Sequence, residues 1–179
     1  MAAVEPLQPM KMVEALKRLN LVLKRMEAQC GRVTDSASRM SVEVPPLGSD
    51  DAHIDKLKSL VQSNLDLAEE YLALKRAIDK TNLSTLVTID DQTYTITDLL
   101  NWKRKVGAFV LKTFKSLDDK PTHLKIQQWA RVSGDPVPTV VRYFDETAKF
   151  QELDKWQSFL DQINGKLEVV NAVTDLIPE

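Results

Sequence analysis

Catalysis or metal binding in this sequence would fall to two histidines, one cysteine and three pairs of adjacent aspartates: His53, His123, Cys30, Asp50-Asp51, Asp90-Asp91 and Asp118-Asp119. A nucleophile needs a base within hydrogen-bond reach, and a metal needs several ligands at short, regular spacing. Neither pattern is present. His53 stands at a predicted helix start and His123 follows a proline turn, both positions for capping or exposure. Cys30 falls on an apolar helical seam, where a small buried side chain is expected. Each aspartate pair lies at a predicted helix start, turn or helix end, where aspartate serves local hydrogen bonding. The five glycines, at 31, 48, 107, 134 and 165, are dispersed, so no glycine-rich phosphate loop exists. These residues predict no catalytic group, no metal site, no cofactor and a protein that is not an enzyme.

Charge is the sharper signal. Between Leu99 and Ser116 there is no acidic residue, yet Lys103, Arg104, Lys105, Lys112 and Lys115 are present. Lys120, His123, Lys125 and Arg131 extend the run, interleaved with Trp102, Phe109, Phe114 and Trp129 and offset by Asp118 and Asp119. The plain reading is a solvated basic helix face. The sharper one is an anion site for a phosphate-bearing small molecule, a nucleotide or an acidic protein surface. A net charge of −2 disfavours extended duplex nucleic acid as the partner.

The elements that must position these residues follow from composition and periodicity. With 179 residues, 43% hydrophobic and 28% charged, the chain suffices for one domain with its own core, expected over 1–179. A single cysteine excludes an internal disulfide and fits a reducing compartment. The opening residues do not read as a signal peptide, and no apolar run approaches the roughly 18 residues of a membrane span. A cytoplasmic protein without membrane partners is expected.

Residues 1–9 read as an extended N-terminal arm. From Met10 the pattern turns helical, with Met12, Leu16, Leu19, Leu23, Met26 and Cys30 forming a heptad seam. Leu21 and Val22 lie off it, so this helix should touch more than one neighbour. Pro45, Pro46 and Gly48 break the chain in the interhelical loop 41–50. Ser49 or Asp50 then caps a second helix to about Lys80, with an apolar stripe of Ile54, Leu57, Val61, Ala68, Tyr71, Leu74 and Ile78 that contains Asn64. Two β-rich runs around Asp90-Asp91-Gln92 predict a hairpin, and a third helix follows from Asp98 to Leu117. Residues 118–138 read as a loop and hairpin insertion: alternating Leu124, Ile126, Ala130 and Val132, a turn at 133–136, and a return strand over 139–144. A last helix over 146–170 carries the seam Leu153, Trp156, Leu160, Ile163, Leu167 and Val170. The predicted fold is mainly α with two short β-hairpins, in the order helix, helix, hairpin, helix, hairpin, helix. Its long helices are expected to pack in coiled-coil fashion, either within one chain or across a homo-oligomer.

The run from Ala77 through Thr85, the segment Asp90 to Leu100, and Arg104 together resemble the septicolysin-like family of bacterial helical proteins, of which similar proteins occur in phages. Its pattern is a helix ending in a Thr-Asn pair, a short hairpin with an acidic turn, and a helix bearing an arginine. Leu153-Asp154 through Ile163, Asn171 and Leu176 look like the family's last helix and tail. The resemblance spans 10–117 and 139–176. It departs at Asp91-Gln92, where Asp-Gly is usual, and finds no match over 118–138. It implies a helical oligomer of undetermined role and brings no established active site.

The expected function is therefore a non-enzymatic homo-oligomeric binding protein, with a pocket around the first hairpin and the basic helix. Thr81, Asn82, Thr85, Arg104 and Lys105 are the candidate ligand residues. The Thr-Asn pair offers donors and acceptors, and an arginine can hold a phosphate with two hydrogen bonds. A specific form is sequestration of an anionic nucleotide signal by a phage anti-defence protein in the host cytoplasm. The alternative is a structural assembly subunit, for example of a phage particle.

Overall fold

The computed structural model describes residues 9–133 and 136–178. The expected arm therefore lies, apart from Pro9, outside the described residues, as do Gly134 and Asp135 of the expected turn. The chain divides into two compact units, one joining the described residues up to Leu86 to those from Val169 onward, the other Val87–Glu168.

The first unit is built on two long helices, α1 (Met12–Ser36) and α2 (Asp50–Ser84), packed against each other. The Glu14 carboxylate accepts the Lys11 amide (2.9 Å), and the Met12 amide donates to the Thr174 carbonyl (2.9 Å), so two of the donors at the start of α1 are met. At α2 the Ser49 hydroxyl accepts from the Ala52 amide (3.2 Å), with Asp50 and Asp51 in the positive first turn. Between the helices, Arg39 grips both Asp50 oxygens (2.8 and 2.9 Å) and donates to the carbonyls of Met40 and Glu43, which fixes the proline loop. Met12, Ala15, Ala77, Ile78 and Leu176 form a buried cluster.

The buried line on α1 differs from the predicted seam. Met12, Ala15, Val22 and Gln29 are buried, with Leu19, Met26 and Val33 half-buried between them. The heptad spacing holds, but the seam turns by one position, leaving Leu23 and Cys30 exposed. Cys30 is thus not a core residue; its sulfur accepts from the Asn64 amide at 3.4 Å. The physical reason is that α1 is apolar on adjacent faces, and α2 covers the face with Ala15 and Val22, whose smaller side chains allow closer approach.

At the start of the second unit, β1 (Leu86–Ile89, all but Leu86 in this unit) and β2 (Gln92–Thr95) form a two-stranded sheet, joined by Asp90 (φ 47°) and Asp91 (φ 61°). A two-residue turn needs positive φ at both positions, which aspartate tolerates better than most side chains. The Thr95 hydroxyl accepts the Asp98 amide (3.1 Å) while the Asp98 carboxylate accepts the Thr95 amide (3.0 Å), a reciprocal cap on α3 (Ile96–Asn101). The helix widens into a π segment over Trp102–Val106 and resumes as α4 (Gly107–Lys115). α5 (Lys120–Val132) and α6 (Glu146–Val173) complete the order, the end of α6 passing into the first unit.

The fold is mainly α with one short hairpin, and no second hairpin forms among the described residues. Residues 120–132 are helical, and β1 and β2 are the only strands among the described residues. The alternation of Leu124, Ile126, Ala130 and Val132 is outweighed by Pro121 in the first turn and by a run of leucine, lysine, glutamine, alanine and arginine, all good helix formers. Without a partner strand, 136–144 stays irregular and is tied to the start of α5 by Arg142 donating to Asp119 at 2.6 Å. That donor holds the Asp119 carboxyl below the usual carboxylate range. On α6 the predicted seam holds: Ile163 and Leu167 are buried, and Leu153, Trp156, Leu160 and Val170 are half-buried.

Candidate functional site

Chemistry in the second unit concentrates where the hairpin, the π segment and α6 meet. Trp102 opens the π segment, and its carbonyl accepts the Gly107 amide five residues on, the bond that defines this wider turn. Such insertions occur frequently at functional sites because they re-aim side chains within an otherwise regular helix. Gly107 is buried against α6, where a Cβ would lie 2.8 Å from Leu160 Cδ1. Glycine therefore allows the two helices to approach closely beside Trp102.

Across that contact α6 presents Trp156 and Phe159, three residues apart and so on one face. Trp102 and Trp156 stack with centroids 5.4 Å apart at an interplanar angle of 17°. Phe159 sets its edge to both, at 5.4 Å and 90° from Trp102 and 5.9 Å and 84° from Trp156. Tyr94, from β2, lies 6.0 Å from Phe159. These rings line an open cleft of about 330 Å³, with Ile89, Asp90, Gln92 and Lys155 completing its walls. Its size falls at the lower end of small-molecule pockets. The Tyr94 hydroxyl donates to Gln92 Oε1 (2.7 Å), whereas the buried Trp156 Nε1 has no hydrogen-bond partner in the structure. An indole N–H can only donate, and leaving a buried donor unpaired costs about 1–3 kcal/mol.

The five predicted ligand residues fall in two places. Thr81, Asn82 and Thr85 close α2 in the first unit, while Arg104 and Lys105 are exposed on the π segment of the second. Thr81 is fully buried, and its hydroxyl donates to the Ala77 carbonyl (2.8 Å) and accepts the Ile177 amide (2.9 Å). It anchors the C-terminal segment to the end of α2. Asn82 is buried, and Thr85 is the half-buried cap whose amide donates to the Thr81 carbonyl. Asp98, a possible ion partner for Arg104, has its carboxylate engaged by Thr95, and those donors hold its pKa below the ordinary value.

The aromatic cleft was not assembled from sequence. Trp102 read as one of several aromatics among basic residues, Trp156 as a seam residue and Tyr94 as a strand residue. The available signal was the Trp156–Phe159 spacing on a helix that also needs a partner face. Among the described residues no group of three or more His, Cys, Asp or Glu side chains is placed to hold a metal ion. No helix among them is long and apolar enough to cross a membrane.

A functionally unknown conserved protein from Corynebacterium diphtheriae has a similar structure, with a TM-score of 0.50 and 19% sequence identity over 95% of this chain and 100% of that one. At that identity the likeness speaks for the fold alone. No family model and no curated protein matches the sequence.

Proposed function

We propose that this chain is a non-enzymatic, homo-oligomeric binding protein that takes up an anionic, nucleotide-type small molecule in its second unit. One observation carries the reading: Trp102 lines the aromatic cleft, and the next three residues of the same π segment, Lys103, Arg104 and Lys105, are exposed cations. A flat ring and a phosphate group would each find its own kind of partner there. Capture without turnover suits sequestration, such as withdrawal of a nucleotide signal by a phage protein in the host cytoplasm. Membership of the septicolysin-like family belongs to the same proposal and is supported by the Thr81-Asn82 pair, the acidic turn and Arg104.

Calorimetry against cyclic and linear nucleotides tests the reading. Arg104→Ala should weaken binding by about tenfold to a hundredfold, the effect of a lost hydrogen bond to a charged group. Light scattering on the same variant should show an oligomer of unchanged mass and thermal stability. No binding at millimolar nucleotide, or a wild-type protein of monomer mass, would overturn the corresponding half of the proposal.

A second reading, a structural assembly subunit, is favoured by the exposed Leu21, Leu23, Val61 and Leu65 on α1 and α2. It would lead if Arg104→Ala dissociated the oligomer while no nucleotide bound.

A further inference from the structure

In the first unit, α2 covers one of the two adjacent apolar faces of α1, the face with Ala15, Val22 and Gln29. Along the other run Leu16, Leu23 and Cys30 at seven-residue intervals, with Leu23 and Cys30 exposed. α2 carries a stripe of its own, Ile54, Val61, Leu65, Ala68 and Leu72, whose steps of seven, four, three and four keep it on one side of the helix. Its four large side chains are 43–56% exposed. An open groove of about 430 Å³ lies between the stripes, lined by Cys30 and Thr34 of α1 and by Val61 and Leu65 of α2. Neither stripe contains a charge. Together they cover about 27 Å of helix and about 20 Å across, on the order of 500 Å² before side-chain relief is counted. A patch of that size marks an interaction site on a monomer, and relief brings it toward the roughly 800 Å² that each partner gives a stable interface.

The levels of the two stripes agree, and that selects the partner. Arg18 donating to Glu70 (2.7 Å) and Gln29 to the Leu60 carbonyl (3.4 Å) fix the register of α1 on α2. By that register Leu16 lies level with Leu72, Leu23 with Leu65 and Cys30 with Val61. A second copy turned about a twofold axis parallel to the helices keeps every level, so each apolar layer continues into its like. The rims are then opposite in charge. Lys24 and Glu27 border the α1 stripe, and Lys58 and Glu69 border that of α2, all four exposed. Glu27 would stand about one turn from the partner's Lys58, and Lys24 about one turn from the partner's Glu69, gaps that these long side chains span. An axis perpendicular to the helices would bring neither pair together.

We propose that this uncovered α1–α2 face docks a second copy of the chain, the four helices forming a twofold bundle with α1 of each copy against α2 of the other. This rests on the homo-oligomeric half of the function above and assigns its interface.

Light scattering and sedimentation of the full chain at micromolar concentration test it. Leu65→Asp places a charge in the middle layer and should weaken association roughly a hundredfold or more, lowering the mass. Leu21→Asp puts the same charge at an exposed leucine on the opposite side of α1 and should leave the mass unchanged. Circular dichroism identifies loss of fold; if Leu65→Asp unfolds, cross-linking decides. Cys30 is the single cysteine, so wild type co-expressed with a chain carrying Cys30→Ser and Val61→Cys should yield, on mild oxidation, a disulfide dimer with one chain of each kind. An oligomer indifferent to Leu65→Asp, or chains that stay unlinked, overturns the proposal and leaves the function above intact. A Cys30 disulfide dimer of the wild type alone would set α1 against α1 and overturn the pairing. A wild type of monomer mass, whether the face is bare or meets a different protein, removes both this interface and the homo-oligomeric half of that function.

Discussion

At the end of α2 the buried Thr81 hydroxyl both donates and accepts, and its partners are the chain's own backbone. In the second unit the buried N–H of Trp156 meets no partner. The contrast is not that one unit satisfies every polar atom. In the first unit Asn64 Oδ1 and His53 Nδ1 are also buried and unpaired, but each residue keeps a bond through its other polar atom, to Cys30 Sγ and to the Ser36 carbonyl. An indole has a single polar atom, so its loss of pairing is complete. The same unit carries two adjacent aspartates at positive φ and a π segment inside a helix, both departures from the lowest-energy local choice. Departures of this kind cluster where a surface is arranged for something other than its own stability. The first unit, with its long capped helices and tethered tail, is arranged chiefly for packing.

The comparison is put under most strain by Leu74→Ala. Leu74 is fully buried on α2, and truncation there should cost about 2–5 kcal/mol, depending on how far the surroundings collapse. All three tryptophans belong to the second unit, so fluorescence reports that unit, whereas far-ultraviolet circular dichroism reports helices in both. The variant should move the dichroism midpoint in urea more than the fluorescence midpoint. Coincident shifts would mean that the two units unfold as one cooperative block and would dissolve the distinction drawn here.

Gly107→Ala should act in the other unit and less strongly. The added methyl would overlap the Leu160 side chain and sit 3.0 Å from the Trp102 carbonyl, an overpacking that costs about 1–3 kcal/mol. The fluorescence midpoint should fall and the cleft should distort, because Trp102 and Gly107 are joined by the π hydrogen bond. Shortening Leu160 to alanine in the same chain should return part of the loss. A glycine variant as stable as the wild type would show that α6 can shift away without consequence.

What sequence could and could not give divides along physical lines. Proline, glycine and capping signals placed the break before α2, its cap at Ser49 or Asp50 and the acidic hairpin turn, because these act through a few neighbouring residues. The α6 seam was legible because one heptad line dominates that helix. On α1, two adjacent apolar lines compete, and only the partner helix decides which is covered. Cys30 was misplaced for that reason. The second hairpin failed on a short apolar run whose alternation also fits a helix, with Pro121 the overlooked start signal. The cleft was illegible because it joins β2, the π segment and α6 across the chain, and no local pattern announces a π segment.

The smallest expected effect concerns the cap where the hairpin hands over to α3. Thr95 donates to the Asp98 carboxylate through its hydroxyl and its amide, which lowers the Asp98 pKa from its ordinary 3.8. A carboxyl with a depressed folded-state pKa binds protons more readily in the unfolded chain, so its contribution is complete above the ordinary carboxylate range. That contribution is lost as pH falls from about 4 through the depressed folded value. Asp119, lowered by Arg142, adds a loss of the same sign in the same window. Asp98→Asn keeps an acceptor for the Thr95 amide but removes the charge and its titration, so it should flatten part of the acid side of the stability curve and leave the Asp119 share. Urea midpoints taken from about pH 2 to 5 measure that slope. Both carboxylates are accessible to water, which screens them and keeps the change modest. An acid slope identical in wild type and variant would mean that the reciprocal cap does not persist in solution, and the junction leading from the hairpin to the π segment would then be looser than its hydrogen bonds imply.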